Sequence, residues 1–246
     1  MTKQIQVVEV LGRSDQGITQ PYLCRATDGE TYYVKGRGAG YASLVKELVA
    51  GRLAKSFGLP VAPFEILEMP QRFYQSLPDA DLGDLGFGLV FGSRVQVNVS
   101  EMTMSDQAFL DAKIMEDILL FDWWVRNGDR TLTEFGGNPN LLWSAEKRNV
   151  TVIDFNLAFD ATVTRKSIVE DHIFGSLFNT IAGSGGARTE YCRRFGQCLL
   201  EWDDIVNAVP ERWLYEDDGH SVKIRFEFAE AKSELDRYAA EAFWKS

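Results

Sequence analysis

Asn127-Gly128-Asp129-Arg130 and, further along, Val152-Ile153-Asp154-Phe155-Asn156 are the two stretches that decide the fold. The first ends a long apolar segment with helical spacing, and its Asn-Gly pair tolerates the positive φ with which a chain leaves a helix. The second is an apolar strand pattern that runs into an acid. Asp154 follows Asp129 by 25 residues, and the apolar strand Asn140-Leu141-Leu142-Trp143 lies between them. The order and spacing predict one site built from two carboxylates.

The two aspartates suit different chemical tasks. Asp129, on a loop just past a helix end, can orient an attacking hydroxyl group or accept its proton. Asp154, at the end of a half-buried strand, suits a Mg²⁺ ion that bridges nucleotide phosphates. Either aspartate alone is also compatible with an ordinary turn. The pair, with a strand between its members, therefore carries the interpretation.

A second ligand for the metal is expected at the start of the intervening strand. Asn140 is the preferred residue, because it directly precedes an apolar pair and an amide oxygen completes a Mg²⁺ shell without adding charge. Asn138 is the alternative, although Pro139 after it favours extended backbone at that position. The sequence alone leaves both asparagines open.

Two residues of the first third are candidates for nucleotide binding. Lys35 ends an alternating strand just ahead of a helix that carries Glu47, and such a lysine can bind phosphates when an acid orients it. A strand-end lysine is more often solvated, and Glu47 could instead pair with Arg52 or Lys46 on the surface. The turn from Gly12 to Gly17 could cover phosphates, with Ser14 as a donor or as an autophosphorylation site, but it is poor in glycine.

The first third of the chain is rich in strand patterns, and the remainder is mainly helical. The predicted elements of the first part are a hairpin around Asp28-Gly29, a helix over 41–57, a loop over 70–84 and a strand over 87–97. Those of the second part are one helix over 105–126, the hairpin over 140–154, and helices over 166–182, 190–201, 202–209 and 221–244. We therefore predict an α+β fold with two lobes, a β-rich N-lobe over residues 1–100 and a helical C-lobe over 101–246.

Composition excludes several classes of function. The net charge of −10 argues against a nucleic acid as partner, because phosphate backbones need clustered Lys and Arg. The same acidity argues against docking on anionic membranes, and no apolar run reaches the roughly 20 residues of a membrane span. Three cysteines, none in a Cys-x-x-Cys pair, give no disulfide framework. We expect a cytoplasmic protein; its oligomeric state is left open.

These segments together resemble the HipA-like kinases, bacterial enzymes of the protein-kinase superfamily. The similarity extends over about residues 7–181, and parts of it are shared more distantly with the type II phosphatidylinositol 4-kinases. The matching pieces are Tyr33-Val34-Lys35, the helix of Glu47 with the segment from Arg52 to Val61, Asn127-Gly128-Asp129-Arg130, Asn140-Leu141-Leu142-Trp143 and Ile153-Asp154-Phe155.

The resemblance implies a protein-kinase-like fold and a set of roles. Lys35, positioned by Glu47, would bind the phosphates of ATP, Asp129 would be the catalytic carboxylate, and Asn140 with Asp154 would hold Mg²⁺. The adenine would lie near a hinge at 90–95, against Val90, Phe91 and Gly92. Protein kinases place the asparagine five residues after the catalytic aspartate, whereas Asn140 follows Asp129 by 11, so residues 131–137 are interpreted as an insertion.

Three functions remain in competition at this point. The leading hypothesis is an ATP- and Mg²⁺-dependent serine/threonine protein kinase, because all the expected polar residues occur in order. A small-molecule or lipid kinase is the second. A nucleotide-binding pseudokinase that acts as a binding module is the third, since the insertion after Asp129 changes the loop that meets the acceptor.

Overall fold

The computed structural model describes residues 4–14, 20–77, 80–133 and 136–245, without the side chains of residues 80 and 81. The chain divides into two compact units. One comprises Met1–Val45, Ala62–Val97 and Pro210–Arg225, and the other comprises Lys46–Val61, Asn98–Val209 and Phe226–Ser246. The predicted division, a single boundary near residue 100, is simpler than this one.

The first unit is built on a five-stranded antiparallel sheet with the order β1-β2-β3-β5-β4. Its strands are β1 (Val7–Arg13), β2 (Tyr22–Ala26), β3 (Thr31–Lys35), β4 (Phe64–Met69) and β5 (Gly88–Arg94). The hairpin predicted around Asp28-Gly29 joins β2 to β3, and Gly29 has a φ of +85°. Only glycine adopts such a backbone without strain, so the turn sequence sets the register of the hairpin.

One face of this sheet carries the core of the first unit. Alternate residues of its strands, among them Cys24 of β2, Tyr32 and Val34 of β3 and Leu67 of β4, are buried in one cluster. Because side chains alternate along a strand, the residues between them, including Lys35, belong to the opposite face. The core thus assigns Lys35 to the other side of the sheet.

The segment predicted to be a loop over residues 70–84 is instead helical. It contains α2 (Gln71–Ser76) and a 3-10 helix (Ala80–Asp84), and Pro70 precedes the first turn of α2. Phe73 and Tyr74 pack against the core of the sheet. The loop prediction was wrong because it weighed the polar composition of the segment and missed two aromatic residues that bury one side of a short helix.

The second unit is mainly helical. Helix α1 (Tyr41–Phe57) begins in the first unit and continues into the second. The remaining helices are α3 (Ala112–Trp124), α4 (Arg165–Asp171), α5 (Phe178–Gly183), α6 (Gly185–Leu199), α7 (Trp202–Asn207), α8 (Phe228–Leu235) and α9 (Glu241–Trp244). The strands are β6 (Ser100–Glu101), β7 (Thr131–Thr133), β8 (Gly136–Asn138), β9 (Leu141–Ser144) and β10 (Asn149–Val152). The predicted fold class, a strand-rich first part followed by a helical part, is confirmed.

The helix predicted over 105–126 is divided in two. A 3-10 helix (Met104–Phe109) begins at a capping box between Thr103 and Asp106, and α3 begins where the Asp111 side chain accepts a hydrogen bond from the backbone N–H of Lys113. Each cap satisfies backbone donors at a new helix start, so the chain breaks where the apolar spacing alone predicts continuity.

The last predicted helix, over 221–244, begins only at Phe228. The residues before it form a loop in which the Asp217 carboxylate accepts the backbone N–H groups of Ser221 and Val222. This local capping competes with helix formation.

Aromatic packing fixes the end of α3. Trp124 stacks on Phe195 with ring centroids 4.5 Å apart, and its indole N–H donates to the carbonyl oxygen of Leu235 at 2.8 Å. Trp124 is fully buried, as is the neighbouring Phe121. The loop that follows α3 therefore starts from a tightly packed helix end. Within the described residues, no helix has the length and apolar character needed to cross a bilayer.

Candidate active site

The loop after α3 presents Asp129 at the surface of the second unit. The backbone N–H of Asn127 bonds back to the carbonyl oxygen of Asp122 at 2.8 Å, which ends the helix. Gly128 is exposed, and a Cβ atom there would lie 2.8 Å from a methyl group of Val163. The sequence needs glycine at this position because the chain passes close to Val163. Asp129 follows, half-buried.

Both candidate asparagines contact Asp129. The side-chain nitrogen of Asn138 donates to Asp129 Oδ2 at 2.8 Å, and that of Asn140 donates to the same oxygen at 2.9 Å. Asn140 is buried and has a φ of +47°, whereas Asn138 is exposed at the end of β8. The inserted segment forms a hairpin of β7 and β8, and this fold brings Asn138 back to the loop from which it started.

The surroundings of Asp129 favour its protonated form. Burial raises the pKa of the Asp129 carboxyl above its ordinary value; the hydrogen bond from Asn140 opposes this, and the negative charge of Asp154 adds to it. A carboxylate with a raised pKa is a stronger proton acceptor than a fully solvated aspartate. The arrangement therefore suits a base that acts on a hydroxyl group.

Asp154 lies where β10 leaves the hairpin. The backbone N–H of Ile153 donates to the carbonyl oxygen of Asn140 at 3.1 Å, so Asp154 and Asn140 flank the open end of the β9–β10 pair. Asp154 itself has a φ of +58°. Aspartate is one of the few non-glycine residue types that tolerate this left-handed backbone, so Asp154 can make the turn itself.

The donor set at this place fits a magnesium ion. The amide nitrogen of Asn140 is used by Asp129, which leaves its amide oxygen as a ligand beside the carboxylate of Asp154. Oxygen ligands of this kind, completed by water and phosphate, are what Mg²⁺ prefers. No group of three or more His, Cys, Asp or Glu side chains forms a metal cluster in the described parts of the chain.

Glu47 is a buried residue of the site. It is 4% exposed, and its Oε1 accepts the backbone N–H of Phe155 at 3.0 Å. Phe155 packs edge-on against Phe121 of α3, with ring centroids 5.8 Å apart. The alternative for Glu47, a surface pair with Arg52 or Lys46, is wrong because Glu47 is buried. Helix α1 is instead bonded to the residue that follows Asp154.

A buried polar group behind the loop is centred on Asp122, which is fully enclosed in α3. Its Oδ2 accepts from Arg130 Nε at 2.6 Å and contacts His172 Nε2 at 3.0 Å, and its Oδ1 accepts from the side chain of Asn127 at 2.9 Å. Burial alone would raise the pKa of Asp122, but the positive charge of Arg130 and the hydrogen bond from His172 hold it below its ordinary value.

His172 is neutral in this group. Its Nδ1 accepts the backbone N–H of Phe174 at 3.1 Å, so the ring proton is on Nε2 and is donated to Asp122. Burial lowers the pKa of His172 below its ordinary value, and the hydrogen bond to Asp122 only partly opposes this. Asp122 thus balances one full positive charge, that of Arg130.

Arg130 joins the loop to the hairpin. One terminal nitrogen of its guanidinium donates to the carbonyl oxygen of Asn140 at 2.6 Å and contacts that of Ile153 at 3.4 Å. These carbonyls belong to the residues at the two sides of the hairpin end. A single buried side chain therefore fixes Asp129, Asn140 and Asp154 relative to one another.

Asp122 and His172 were not among the residues selected from the sequence. In the sequence, Asp122 directly follows the apolar run from Ile118 to Phe121. An acid inside a helix that is apolar on all sides must be buried and paired, and that signal was available. No local pattern pointed to His172, which lies 50 residues further on.

The predicted nucleotide residues of the first unit lie on its sheet. Lys35 ends β3 directly opposite Phe91 of β5. Val90, Phe91 and Gly92 lie within β5, which pairs with β3 on one side and β4 on the other. Their backbone groups belong to the sheet, and the connecting segment starts only after Arg94.

Only one of the three β5 residues shares the face of Lys35. Val90 belongs to the core cluster, and a Cβ at Gly92 would meet Leu67 at 2.6 Å, so both point to the core face. Phe91 lies on the other face. Ser14 follows β1, and its N–H donates to the carbonyl oxygen of Pro21 at 2.9 Å. Residues 15–17, the second half of the turn from Gly12 to Gly17, lie outside the described residues.

Comparisons with known proteins identify the family to which the chain belongs. A family model described as HipA-like kinase matches residues 7–246. The chain therefore belongs to the HipA-like kinase family. Among solved structures, the proinflammatory kinase CtkA of Helicobacter pylori is similar, with 12% identity, 90% of each chain covered and a TM-score of 0.49. No curated protein matches the chain.

Proposed function

We propose that this kinase transfers the γ-phosphoryl group of ATP to a hydroxyl group, in a Mg²⁺-dependent reaction, and that the acceptor is a serine or threonine of a protein. The observation that carries the proposal is the convergence of Asp129, Asn140 and Asp154 at one end of the β9–β10 hairpin. A base, an amide and a second carboxylate in this arrangement are the protein groups that phosphoryl transfer uses.

Asp129 is proposed to act on the acceptor. Its carboxylate orients the hydroxyl group and takes the proton as the acceptor oxygen bonds to the γ-phosphorus and the bond to the β-phosphate oxygen breaks, which releases ADP. The raised pKa of Asp129 supports this role. Asn140 and Asp154 would hold Mg²⁺, which neutralises phosphate charge when bound.

Lys35 is proposed to bind the phosphates of ATP. Phe91, on the same face of the sheet, is proposed to pack against the adenine ring. Val90 and Gly92 face the core and would act only through the shape of β5. Glu47 would contribute through its bond to Phe155, which helps to hold the segment of Asp154. Ser14 remains a proposed phosphate donor at the end of β1.

The first test is ATP binding, measured as thermal stabilisation with and without Mg²⁺. The wild type should be stabilised by MgATP, by about 2.7 kcal/mol at a hundred times the dissociation constant. Asp154→Ala should lose the Mg²⁺-dependent part. Glu146→Ala, at the exposed turn of the same hairpin, serves as the matched control and should respond like the wild type. A wild type that MgATP does not stabilise would overturn the proposal.

The acceptor is tested with γ-labelled ATP. Label should appear on serine or threonine when the protein is incubated with an extract protein fraction, and Asp129→Asn should abolish it. Label that appears only in the metabolite or lipid fraction would replace the protein acceptor by a small one. Binding of MgATP without any turnover would identify a pseudokinase.

A further inference from the structure

The inserted hairpin of β7 and β8 is tightly built where it meets the catalytic loop. Thr131 pairs with Asn138 across the hairpin, and the backbone N–H of Asn138 also bonds to the hydroxyl of Thr131 at 3.3 Å. A Cβ at Gly137 would lie 2.5 Å from the carbonyl oxygen of Thr131, so the two strands approach as closely as glycine allows. This packing fixes the place from which the Asn138 side chain extends.

The two amide donors use only one oxygen of Asp129. Asn138 at 2.8 Å and Asn140 at 2.9 Å both bond to Oδ2. Among the residues that the structure describes, none donates a hydrogen bond to Oδ1 of Asp129. Two donors from different directions fix the plane of a carboxylate, whereas one donor leaves it free to rotate about the bond to Cβ. Oδ1 is thus the oxygen that remains for a hydroxyl group.

We propose that Asn138 is a positioning residue for the transfer reaction: it holds the Asp129 carboxylate so that Oδ1 meets the acceptor, and it is not a ligand of the metal. The inference rests on the proposed function, because it assigns a role within that site. It also explains the inserted hairpin, whose second strand ends at Asn138.

Replacement of Asn138 by alanine and by aspartate separates positioning from metal binding. Alanine removes both the side-chain oxygen that could bind a metal and the N–H donor to Asp129. Aspartate keeps an oxygen that could bind a metal and loses only the N–H donor. The assay is hydrolysis of ATP, with water as the acceptor, at varied Mg²⁺. For a positioning residue, kcat should fall by about 10- to 100-fold in both variants, since a small misplacement of a reacting group has effects of this size. KM for ATP and the Mg²⁺ concentration for half-maximal rate should stay at the wild-type values.

Two kinetic results would overturn the proposal. If Asn138→Asp keeps the wild-type kcat while Asn138→Ala needs more Mg²⁺, then Asn138 is a metal ligand. If kcat is unchanged in both variants, then Asn138 has no role in the reaction. A wild type that neither binds nor hydrolyses MgATP overturns the proposed function itself, and the role of Asn138 with it, so the two failures are distinguishable.

An exchange of partners tests the contact without using turnover. Asn138→Asp should lower the melting temperature, because it places two carboxylates at hydrogen-bond distance. Addition of Asp129→Asn restores one carboxylate and one amide, and most of the lost melting temperature should return. Additive effects of the two substitutions would show that the side chains do not interact in solution, and would overturn the proposal.

Discussion

The two sides of the loop that follows α3 differ sharply in their exposure to solvent. Behind the loop, Asp122 and Arg130 are completely buried and fully hydrogen-bonded. In front of it, Asp129 is half-buried and Asn138 is exposed. The charges of Asp122 and Arg130 are out of reach of water, whereas the carboxylate of Asp129 is accessible from solvent. The loop thus connects a rigid, buried group of side chains to the accessible carboxylate of Asp129. Substitutions on the two sides should therefore have different effects on stability and activity.

The buried side should show the largest effect on stability. Asp122→Ala leaves the guanidinium of Arg130 without its counter-charge, which costs about 3–5 kcal/mol of the free energy of unfolding. The loss is measured by urea denaturation, as the difference in unfolding free energy between the wild type and the variant. Asp236→Ala breaks the exposed pair with Lys232 and serves as the control, with a loss below about 1 kcal/mol. Similar losses in the two variants would remove the distinction between a buried and an exposed side.

The exposed side should show the opposite behaviour. Asp129→Asn should lower kcat by about 10²- to 10⁴-fold, because the base is lost. Its free energy of unfolding at neutral pH should not fall, because a carboxyl with a raised pKa destabilises the fold when it is charged. Denaturation and ATP hydrolysis of one preparation give both numbers. A clear loss of unfolding free energy in Asp129→Asn would show that Asp129 belongs to the buried side chains that stabilise the fold.

Glu47 is a buried acceptor outside the Asp122 group and allows a graded comparison. Glu47→Ala leaves the N–H of Phe155 unsatisfied, at a cost of about 1–3 kcal/mol. Glu47→Gln keeps an oxygen that can accept this bond and should lose less. The order of the two melting temperatures checks the prediction, and equal values would mean that the bond to Phe155 contributes nothing.

The smallest effect concerns the pH dependence of stability. The pKa of His172 is lowered in the folded chain, so the unfolded chain binds the proton more readily, and stability is lost as pH falls below about 6.5. Asp122 and Arg130 are the charged groups that face it. His172→Gln should reduce the slope of unfolding free energy against pH between 7.5 and 5.5 by up to about 1.4 kcal/mol per pH unit.

His220 provides the control for this measurement. Its side chain is exposed and stacks on Tyr215, with ring centroids 4.6 Å apart. His220→Gln should leave the slope unchanged. An unchanged slope in His172→Gln would contradict this prediction, because it would mean that His172 binds its proton equally readily in the folded and the unfolded chain.

The places of Asp129, Asn140 and Asp154 in the chain's elements could be predicted from the sequence, whereas the buried group around Asp122 could not. Asp129, Asn140 and Asp154 stand at the ends of elements whose apolar patterns are local, so their positions follow from neighbouring residues. Asp122 meets His172 across 50 residues, a contact that depends on the packing of several helices. No periodicity encodes such a pairing.

The errors within single elements have local causes. The caps at Thr103 and Asp111 divide a helix that apolar spacing predicts to be continuous. The polar composition of residues 70–84 led to the prediction of a loop, whereas Phe73 and Tyr74 bury one side of helix α2 there. In each case a specific contact outweighed an average preference.

The position of Arg130 has a consequence for how the enzyme fails on heating. This one side chain bonds to α3 through Asp122 and to the β9–β10 hairpin through the carbonyl oxygen of Asn140. The arrangement of the reactive groups therefore exists only while helix and hairpin are packed together. Loss of activity and loss of structure should share one midpoint temperature, without an interval in which a folded but inactive protein accumulates.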